Sequence, residues 1–244
     1  MTKDHTTILP YYKVQDKGAE MTTMFDNIAH RYDFLNHLLS LGIDKYWRHL
    51  AINSLKKYAP QYILDIATGT GDLALAAMRL SPQSIIGIDI SEGMIKEGRK
   101  KIANKNLGHI ITLAQGNAES LEYPDNSFDA ITVAFGVRNF AHLDLGLREM
   151  IRVLRPNKQI AILEFSKPTI FPIKQLFSFY FRYILPTIGK FFSKDHRAYT
   201  YLPESVAVFP DGENFCEYLR VAGFKEITYR TLSFGICTLY NATK

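Results

Sequence analysis

The sequence predicts one α/β domain in which a mostly parallel sheet of seven strands carries helices on both faces. Short apolar runs that stop at turn residues alternate with helical patterns between residues 61 and 165, an order typical of parallel strands joined by crossover helices. Little more than "SFG" separates the last two apolar runs, which is too short for a crossover. The final strand is therefore predicted to be antiparallel.

The chain is predicted to begin with a mobile arm followed by a helical front piece. Residues 1–20 are polar and show no clear period, so we expect them to form a mobile N-terminal arm. Residues 21–244 are expected to form the single domain. Phe25, Ile28 and Tyr32 lie at helical spacing, which indicates helices at the start of that domain.

Five short apolar runs in the middle of the chain predict the parallel strands. They are "QYILDIA", "SIIGIDI", "HIITLAQG", "FDAITVAF" and "QIAILEF". Helices are predicted between them over "DLALAAMRL", over "SEGMIKEGRKKIA" with Ser91 as N-cap, and over residues 143–154. A further helix near "ENFCEYLRVAG" precedes the last two strands, "EITYRTL" and "ICTLYNAT".

An apolar insert, about residues 168–203, follows the fifth strand and is predicted to form a helical cap. Its centre reads "FSFYFRYILPTIGKFF", in which Pro186 should interrupt the helix. No run of about 18 uncharged apolar residues occurs, so we expect no bilayer-spanning helix. The insert is a lid that contacts a membrane, or a cap packed against the sheet or a second subunit, and the two roles can coexist. Its basic residues suit anionic headgroups: Lys174, Arg182, Lys190, Lys194 and Arg197.

Composition narrows the class of protein without identifying it. Lys and Arg outnumber Asp and Glu by 29 to 24, which suits an anionic cofactor, a nucleic acid or an anionic membrane. The aromatic residues lie in an apolar rather than a basic strip, so we expect no nucleic-acid partner. Cys216 and Cys237 have no metal-ligand spacing, and the N-terminus does not read as a signal peptide. We therefore expect a cytoplasmic protein without a metal site.

The stretch "LDIATGTGDLA" has the pattern of a nucleotide-binding turn. It follows a predicted strand and opens a helix, and Gly69 and Gly71 permit a close approach of the backbone to a ligand. Asp89 ends the next strand, 18 residues after Gly71, where a carboxylate can accept both ribose hydroxyls. The same residues fit G-x-G-x-x-A, so the pattern alone leaves a dinucleotide and S-adenosylmethionine as alternatives.

Two features favour S-adenosylmethionine as the cofactor. Asp65 and Asp72 flank the glycine turn, which is awkward for a pyrophosphate but tolerable for a cofactor that carries an ammonium and a sulfonium. The antiparallel final strand and the lack of a second nucleotide-binding half also argue against a hydride-transfer domain.

Several stretches between about residues 21 and 224 are similar to a known family. They are "FDNIAHRYDFLNHLLSLGIDKYWR", "LDIATGTGDLA", "GIDISEGM", "GNAESLEYPDNSFDAITVAFGVRN", "EMIRVLRP", "LEFSKP" and "LPTIGKFFSKDHRAYTYLPESVAVFP". In them the chain resembles the class I S-adenosylmethionine-dependent methyltransferases, and most closely the ubiquinone/menaquinone biosynthesis C-methyltransferase family. Three residues depart from the family pattern, because Thr68 replaces the first of two glycines and Asn157-Lys158 replaces a Gly-Gly pair.

The resemblance implies a Rossmann-like methyltransferase fold in which Thr70, Asp89, Asn117 and Ala118 contact the cofactor. Asn117 and the backbone of Ala118 follow the third strand and can pair with the adenine edge, although Asn117 also suits a turn cap. The complete set of expected cofactor contacts is Asp65, Gly69, Thr70, Gly71, Asp89, Ile90, Met94, Asn117, Ala118 and Ala134.

The resemblance also implies C-methylation of a polyprenylated quinol ring in respiratory quinone biosynthesis. A ring carbon is a poor nucleophile until the adjacent hydroxyl, with a pKa near ~10, loses its proton. Arg138 is the candidate to stabilise the phenolate, Asn139 to bind the same oxygen or a water, and Tyr32 to contact the ring. The structural alternative is a turn in which Arg138 is ion-paired with Glu164 or Asp129.

An isoprenoid tail requires an apolar groove, which the insert would supply. The expected substrate contacts are Phe177, Phe181 and Ile184 on one helical face, followed by Tyr199 and Tyr201. The naphthoquinol or benzoquinol nature of the ring, the tail length and the subunit number stay undetermined. We expect peripheral contact with the inner face of a membrane and allow for a homodimer.

Three other functions are alternatives at this point. One is methylation of another lipophilic acceptor such as a sterol or a phenolic lipid, and another is NAD-dependent oxidoreduction. The third is a lipid-binding scaffold that retains an inactive methyltransferase fold.

Overall fold

The computed structural model describes residues 8–12, 16–184, 187 and 196–244. Its helices are α1 (Lys17–Ile28), α2 (Tyr32–Leu39), α3 (Ile43–Leu55), α4 (Asp72–Ala77), α5 (Glu92–Asn104), α6 (Leu143–Val153), α7 (Ile173–Phe179), α8 (His196–Val208) and α9 (Glu213–Ala222). Its strands are β1 (Tyr62–Ile66), β2 (Ser84–Asp89), β3 (Ile111–Gln115), β4 (Phe128–Ala134), β5 (Leu154–Phe165), β6 (Lys225–Leu232) and β7 (Cys237–Thr243).

The strands form one sheet in the order β3-β2-β1-β4-β5-β7-β6. Strands β1 to β5 are parallel to their neighbours, whereas β7 lies antiparallel between β5 and β6. The predicted seven-stranded, mostly parallel sheet with an antiparallel last strand is therefore confirmed. The strand order reverses between β1 and β4, and the crevice at such a reversal is the usual ligand position in open α/β sheets.

Both faces of the sheet are buried. Strand β4 is buried at six of its seven positions, and β5 begins at Leu154 rather than at the predicted Gln159. Leu147 of α6 covers one face and Leu55 of α3 covers the other, and both are fully buried. Polar side chains are costly in such strands, so the buried carboxylate of Asp65 in β1 indicates a special role.

The front piece begins earlier than the sequence predicts. Helix α1 starts at Lys17, so the domain boundary placed at residue 21 falls inside this helix. Lys17 and Glu20 are buried because they are partnered: Lys17 Nζ donates to the carbonyl of Arg138 at 3.1 Å, and Glu20 accepts from the backbone N–H groups of residues 11 and 12. Ile8 is buried as well. This part of the predicted arm shows no helical period in the sequence, yet it packs against the rest of the domain.

The insert forms α7 and continues as a π-helix, Tyr180–Ile184. Phe181 is buried and Phe177 is partly buried, whereas Ile184 is 37% exposed. The prediction that Ile184 shares their face is wrong, because the wider π-turn changes the α-helical spacing on which it depended. Pro186, Lys190 and Lys194 lie outside the described residues. Among the described helices, none combines the length and the apolar character needed to cross a bilayer.

Candidate active site

A cavity of about 400 Å³ lies at the carboxyl ends of β1, β2 and β4. Seven predicted cofactor residues border it, namely Gly69, Asp89, Ile90, Met94, Asn117, Ala118 and Ala134. No lysine or arginine in the described part of the chain borders this cavity, whereas Asp16, Asp89 and Glu119 do. We call it the polar cavity, and its carboxylates suit a ligand with positive charge rather than a pyrophosphate.

Asp89 connects the glycine turn to the end of β2. Its Oδ2 accepts a hydrogen bond from Gly69 N at 2.8 Å, and its Oδ1 accepts one from Ser91 N at 3.0 Å. Burial raises the pKa of Asp89 to about 6, against the lowering effect of these two hydrogen bonds. Above that pH the side chain is a carboxylate, and its remaining lone pairs can accept hydroxyl donors in the cavity.

Asp65 lies behind the wall of the polar cavity. Its carboxylate is fully buried and accepts hydrogen bonds from the hydroxyls of Thr68 at 2.5 Å and Thr132 at 2.7 Å. Burial raises the pKa of Asp65 to about 6, although both hydrogen bonds lower it. Thr68, which departs from the family pattern, thereby ties the glycine turn to the strand. Asp65 shapes the turn and does not face the cavity.

Thr70 and Gly71 also point away from the polar cavity. The Thr70 hydroxyl donates to the Asp33 carboxylate and accepts from Lys101 Nζ at 3.0 Å. Gly71 has a φ of 83°, a conformation that favours glycine, and it packs against Leu113. Both residues therefore hold α2, β3 and α5 against the glycine turn.

Helix α1 supplies a wall of the polar cavity that the sequence did not predict. Its residues at the cavity, with the preceding cap, are Asp16, Gly18, Ala19, Met21, Thr22 and Phe25. Asp26 accepts hydrogen bonds from the Ser91 hydroxyl at 2.5 Å and from Gly93 N at 2.9 Å, which fixes α1 against the start of α5. The helical spacing of Phe25, Ile28 and Tyr32 predicts a helix here, but no ligand-binding spacing marks the residues that border the cavity.

A second cavity of about 750 Å³ adjoins the first. Phe25, Tyr32 and Phe135 border both cavities, so the two meet at these rings. We call the second one the apolar cavity, because its walls are largely hydrocarbon. Its apolar lining includes Met24, Ile28, Trp47, Phe165, Ile173, Leu176, Phe177, Tyr180, Phe181, Tyr201, Leu202 and Ile236. Its size and lining suit a hydrocarbon chain.

Three of the five predicted substrate residues line the apolar cavity. They are Phe177, Phe181 and Tyr201, and the rings of Phe177 and Phe181 lie 4.1 Å apart between centroids. Ile184, which is exposed, is not part of the lining that the structure describes. The side chain of Tyr199 lies outside the described residues.

Arg138 is buried in the wall of the apolar cavity. Its Nη1 donates to Glu164 Oε1 at 2.8 Å and to the carbonyl of Phe135. Burial raises the pKa of Glu164, although the nearby guanidinium lowers it. The Arg138 guanidinium also lies over the Phe165 ring, 5.5 Å from its centroid. Arg138 therefore forms the ion pair with Glu164 that a purely structural turn would contain. It also borders the apolar cavity, as a residue that contacts the substrate must.

Asn139 and Tyr32 lie where the two cavities meet. Asn139 borders the polar cavity, and its Oδ1 accepts a hydrogen bond from the Tyr201 hydroxyl at 3.2 Å. Tyr32 borders both cavities, and burial raises the pKa of its hydroxyl. The three predicted catalytic residues are thus brought together, with Arg138 on the apolar side, Asn139 on the polar side and Tyr32 between them.

A cluster of His37, Asp44 and Asp72 brings potential metal ligands within 4.8 Å of one another. His37 Nδ1 contacts Asp44 at 2.9 Å, Asp44 is ion-paired with Arg48, and Asp72 is ion-paired with Lys101 at 2.7 Å. Since both acids already have cationic partners, we assign the cluster to the packing of α2 and α3 against the glycine turn.

The chain is similar to known methyltransferases over nearly its whole length. It is 51% identical to a demethylmenaquinone methyltransferase of Bacteroides fragilis over 97% of each chain. It is 44% identical to a ubiquinone/menaquinone biosynthesis C-methyltransferase of Geobacter sulfurreducens, over 96% of this chain and 91% of that one.

One solved structure shares the fold at low sequence identity. It is a putative S-adenosylmethionine-dependent methyltransferase from Methanococcus maripaludis, with a TM-score of 0.63, 21% identity and coverage of 90% of this chain and 93% of that one. The model of the ubiE/COQ5 methyltransferase family matches residues 13–244. Because this family model matches nearly the whole chain and the two relatives are 51% and 44% identical to it, the chain belongs to the ubiE/COQ5 methyltransferase family.

Proposed function

We propose that this protein transfers a methyl group from S-adenosylmethionine to a ring carbon of a polyprenylated quinol, with demethylmenaquinol as the preferred acceptor. The observation that supports this most strongly is the meeting of the polar and apolar cavities at Phe25, Tyr32 and Phe135. A donor in one cavity can reach a ring whose tail occupies the other. A naphthoquinol is preferred over a benzoquinol because the relative from Bacteroides fragilis is named for demethylmenaquinone.

The residues of the polar cavity fit S-adenosylmethionine, which supplies an activated methyl group when bound. Asp89 would accept the ribose hydroxyls, and Asn117 with the backbone of Ala118 would pair with the adenine. Met94 would cover the adenine ring. Asp16 is a further carboxylate on the wall and is available to the ammonium group.

The residues at the meeting point would activate the acceptor. The Arg138 guanidinium would stabilise the phenolate oxygen next to the accepting carbon. Asn139 and Tyr32 would fix that oxygen and the ring, and the apolar walls would exclude water. A carbon–carbon bond forms as the sulfur–methyl bond breaks, and the ring carbon then releases its proton, so one proton is released for each methyl group transferred.

The proposal is tested with the purified protein, S-adenosylmethionine labelled at the methyl group, and two reduced acceptors that carry the same isoprenoid tail. We expect ring methylation of the demethylnaphthoquinol at a higher kcat/KM than of the benzoquinol precursor, measured by mass spectrometry. A faster reaction with the benzoquinol would replace the acceptor, and labelling of neither acceptor in a protein that binds S-adenosylmethionine would contradict the function.

We also propose that the mouth of the apolar cavity contacts an anionic membrane surface. Leu41 and Leu176 both border this cavity, and they are 91% and 60% exposed. Lys45, near Leu41 in the chain, and Lys174 and Arg182, in the insert, are also exposed. Residues 166–184 contain no acidic residue, so the charge of this segment complements anionic lipid.

One basic residue of the predicted membrane contact is excluded from this role. Arg197 is ion-paired with Glu204 at 2.9 Å and donates to the carbonyl of Pro10, so its guanidinium is engaged within the protein. Flotation with vesicles of phosphatidylglycerol or phosphatidylcholine tests the contact. We expect binding to the anionic vesicles alone, reduced by salt and by Lys174→Glu with Arg182→Glu. Equal binding to both kinds of vesicle, or binding to neither, would contradict the proposed membrane contact. If the protein instead forms a stable dimer through this face, the partner of the face is a second copy of the chain and not a membrane.

A further inference from the structure

A second arginine, Arg48 of α3, borders the apolar cavity. Only 8% of this residue is exposed, and its Nη1 donates to the Asp44 carboxylate. Its Nε is buried and has no hydrogen-bond partner among the described residues. A buried donor without an acceptor is costly, and a charged one more so. The arrangement is therefore suited to a ligand oxygen that reaches the free side of the guanidinium.

Arg138 repeats this arrangement in the wall of the same cavity. It is also 8% exposed, it is held by a carboxylate through Nη1, and its Nε likewise lacks a partner in the described part of the chain. Arg48 lies over the Phe135 ring at 5.9 Å, Arg138 lies over the Phe165 ring at 5.5 Å, and these two rings are 4.6 Å apart between centroids. Two buried cations therefore flank one pair of rings.

The two arginines differ in their distance from the cofactor. Both arginines border the apolar cavity and neither borders the polar one in the structure described. Arg138 is next in the chain to Asn139, which borders the polar cavity, whereas the chain neighbours of Arg48 in α3 do not. Burial raises the pKa of the Tyr32 hydroxyl and the charges of both arginines oppose this rise, so both lie near the ring that joins the cavities. An aromatic acceptor held there would meet one guanidinium on its cofactor side and another on its far side.

We propose that Arg48 binds the second oxygen of a para-dihydroxy ring, the one remote from the carbon that receives the methyl group, while Arg138 binds the near oxygen. This inference rests on the proposed function for the class of acceptor. Two anchors at opposite ends of the ring would leave one carbon facing the methyl group. Arg48 is thus a specificity determinant for dihydroxy over monohydroxy acceptors, and Asp44 positions its guanidinium.

The test compares two acceptors with the same isoprenoid tail, a 1,4-dihydroxynaphthalene and its monohydroxy analogue that lacks only the remote hydroxyl. Wild type should favour the dihydroxy acceptor in kcat/KM by about tenfold to a hundredfold, the range for a hydrogen bond to a charged group. Arg48→Gln should lose this preference, mostly through KM, because it removes the anchor for the remote oxygen only. Its affinity for S-adenosylmethionine should not change.

Arg155→Gln is the matched control. Arg155 is also ion-paired with a carboxylate, Asp129, and lies over the ring of Tyr62, but it borders neither cavity in the structure described. This variant should keep the wild-type preference. If Arg48→Gln is unfolded by calorimetry, Arg48→Lys replaces it, because Lys keeps a charge beside Asp44 but lacks the planar fork.

Each result then has one meaning. Two results would overturn the inference, provided that wild type methylates the quinol. In the first, the folded Arg48 variant has lower kcat/KM for both acceptors by the same factor. In the second, wild type has the same kcat/KM for the two acceptors. If wild type binds S-adenosylmethionine and methylates neither ring, the proposed function itself is wrong and the inference is wrong with it.

Discussion

At the scale of single residues, the site depends on a few buried charges whose hydrogen bonds fix their positions. Asp89 is held by two backbone N–H groups, and Arg138 by Glu164. A residue held in this way binds a ligand without first losing conformational freedom. Substitutions at these positions should therefore alter binding or turnover more than stability.

Replacing Asp89 with Asn should weaken S-adenosylmethionine binding by about tenfold to a hundredfold, because the charged acceptor of the ribose hydroxyls is lost. Isothermal titration calorimetry measures the effect. Asp129→Asn is the control, since Asp129 also accepts two backbone N–H groups, from Gln61 and Tyr62, but borders neither cavity among the described residues. An unchanged affinity in folded Asp89→Asn would remove Asp89 from the cofactor site.

Cofactor affinity should fall on acidification. The pKa of Asp89 is raised to about 6, so its carboxylate is present above that pH and is protonated below it. The dissociation constant should rise by about tenfold for each pH unit below the pKa. The pKa of Asp89 is higher in the folded protein than in the unfolded chain. Between these two pKa values the folded state binds more protons, so the contribution of Asp89 to folding stability falls as the pH rises through this range. A flat affinity profile in wild type between pH 5 and 7 would contradict this assignment, and Asp89→Asn should give such a profile.

Replacing Arg138 with Lys should lower kcat by about tenfold or more while leaving cofactor affinity close to that of wild type. Lys retains the charge but not the planar fork that bonds Glu164 and a substrate oxygen together. Steady-state kinetics with the dihydroxy acceptor measures this. A normal kcat with weakened S-adenosylmethionine binding would move Arg138 into the cofactor site.

At the scale of elements, α1 and the insert complete a site that the sheet only begins. Helix α1 closes the polar cavity, and α7 with its π-helical extension forms one side of the apolar cavity. Both elements lie outside the repeating strand–helix core. Their lining residues follow helical spacing, but that spacing marks a packed helix face and does not identify a ligand. They are Gly18, Met21, Thr22 and Phe25 in α1, and Ile173, Leu176, Phe177, Tyr180 and Phe181 in the insert. Loop and insert conformations of this kind depend on tertiary packing more than on local pattern.

Changes in the insert should matter in proportion to the length of the acceptor tail. The double variant Phe177→Ser with Phe181→Ser removes apolar contacts with the tail. Each Å² of apolar surface that returns to water costs about 25 cal/mol of binding free energy, so kcat/KM for a long-tailed quinol should fall by about tenfold or more. A tailless quinol should lose little. Phe179→Ser is the matched control, because Phe179 lies on the same helix, is 55% exposed and is absent from the described cavity lining.

The same experiment can contradict the role of the insert. Circular dichroism must first show that the double variant is folded, since Phe181 is also buried against Phe165. If a folded double variant slows the long-tailed and tailless quinols equally, the insert is a structural cap. The tail would then lie elsewhere.

At the scale of the whole molecule, the number of strands, the antiparallel last strand, the glycine turn and the position of Asp89 could be predicted from the sequence. They follow from short-range patterns: apolar runs, a glycine pair and an acid at a strand end. The wall formed by Asp16 and Gly18 could not be predicted, because it depends on how α1 packs. The error at Ile184 has a similar cause, since a π-turn leaves no clear mark in the residue spacing.

The same limit explains the residues that were assigned to the cofactor but lie behind the cavity. Asp65 and Thr70 belong to the motif, yet their side chains bond to Thr132 and Asp33 instead of facing the ligand space. A motif identifies which residues build a turn, and it does not say which of them face the ligand. The role proposed for Arg48 could not be predicted, because it depends on α3 packing beside the apolar cavity.

The central claim is that donor and acceptor meet at Tyr32, between the polar and apolar cavities. A crystal structure with S-adenosylhomocysteine and a prenylated 1,4-dihydroxynaphthalene tests it most directly. The account predicts the nucleoside beside Asp89, the ring between Tyr32 and Arg138, and the tail along Phe177. A ring bound outside the meeting point of the two cavities, or a tail that leaves the insert uncovered, would contradict it.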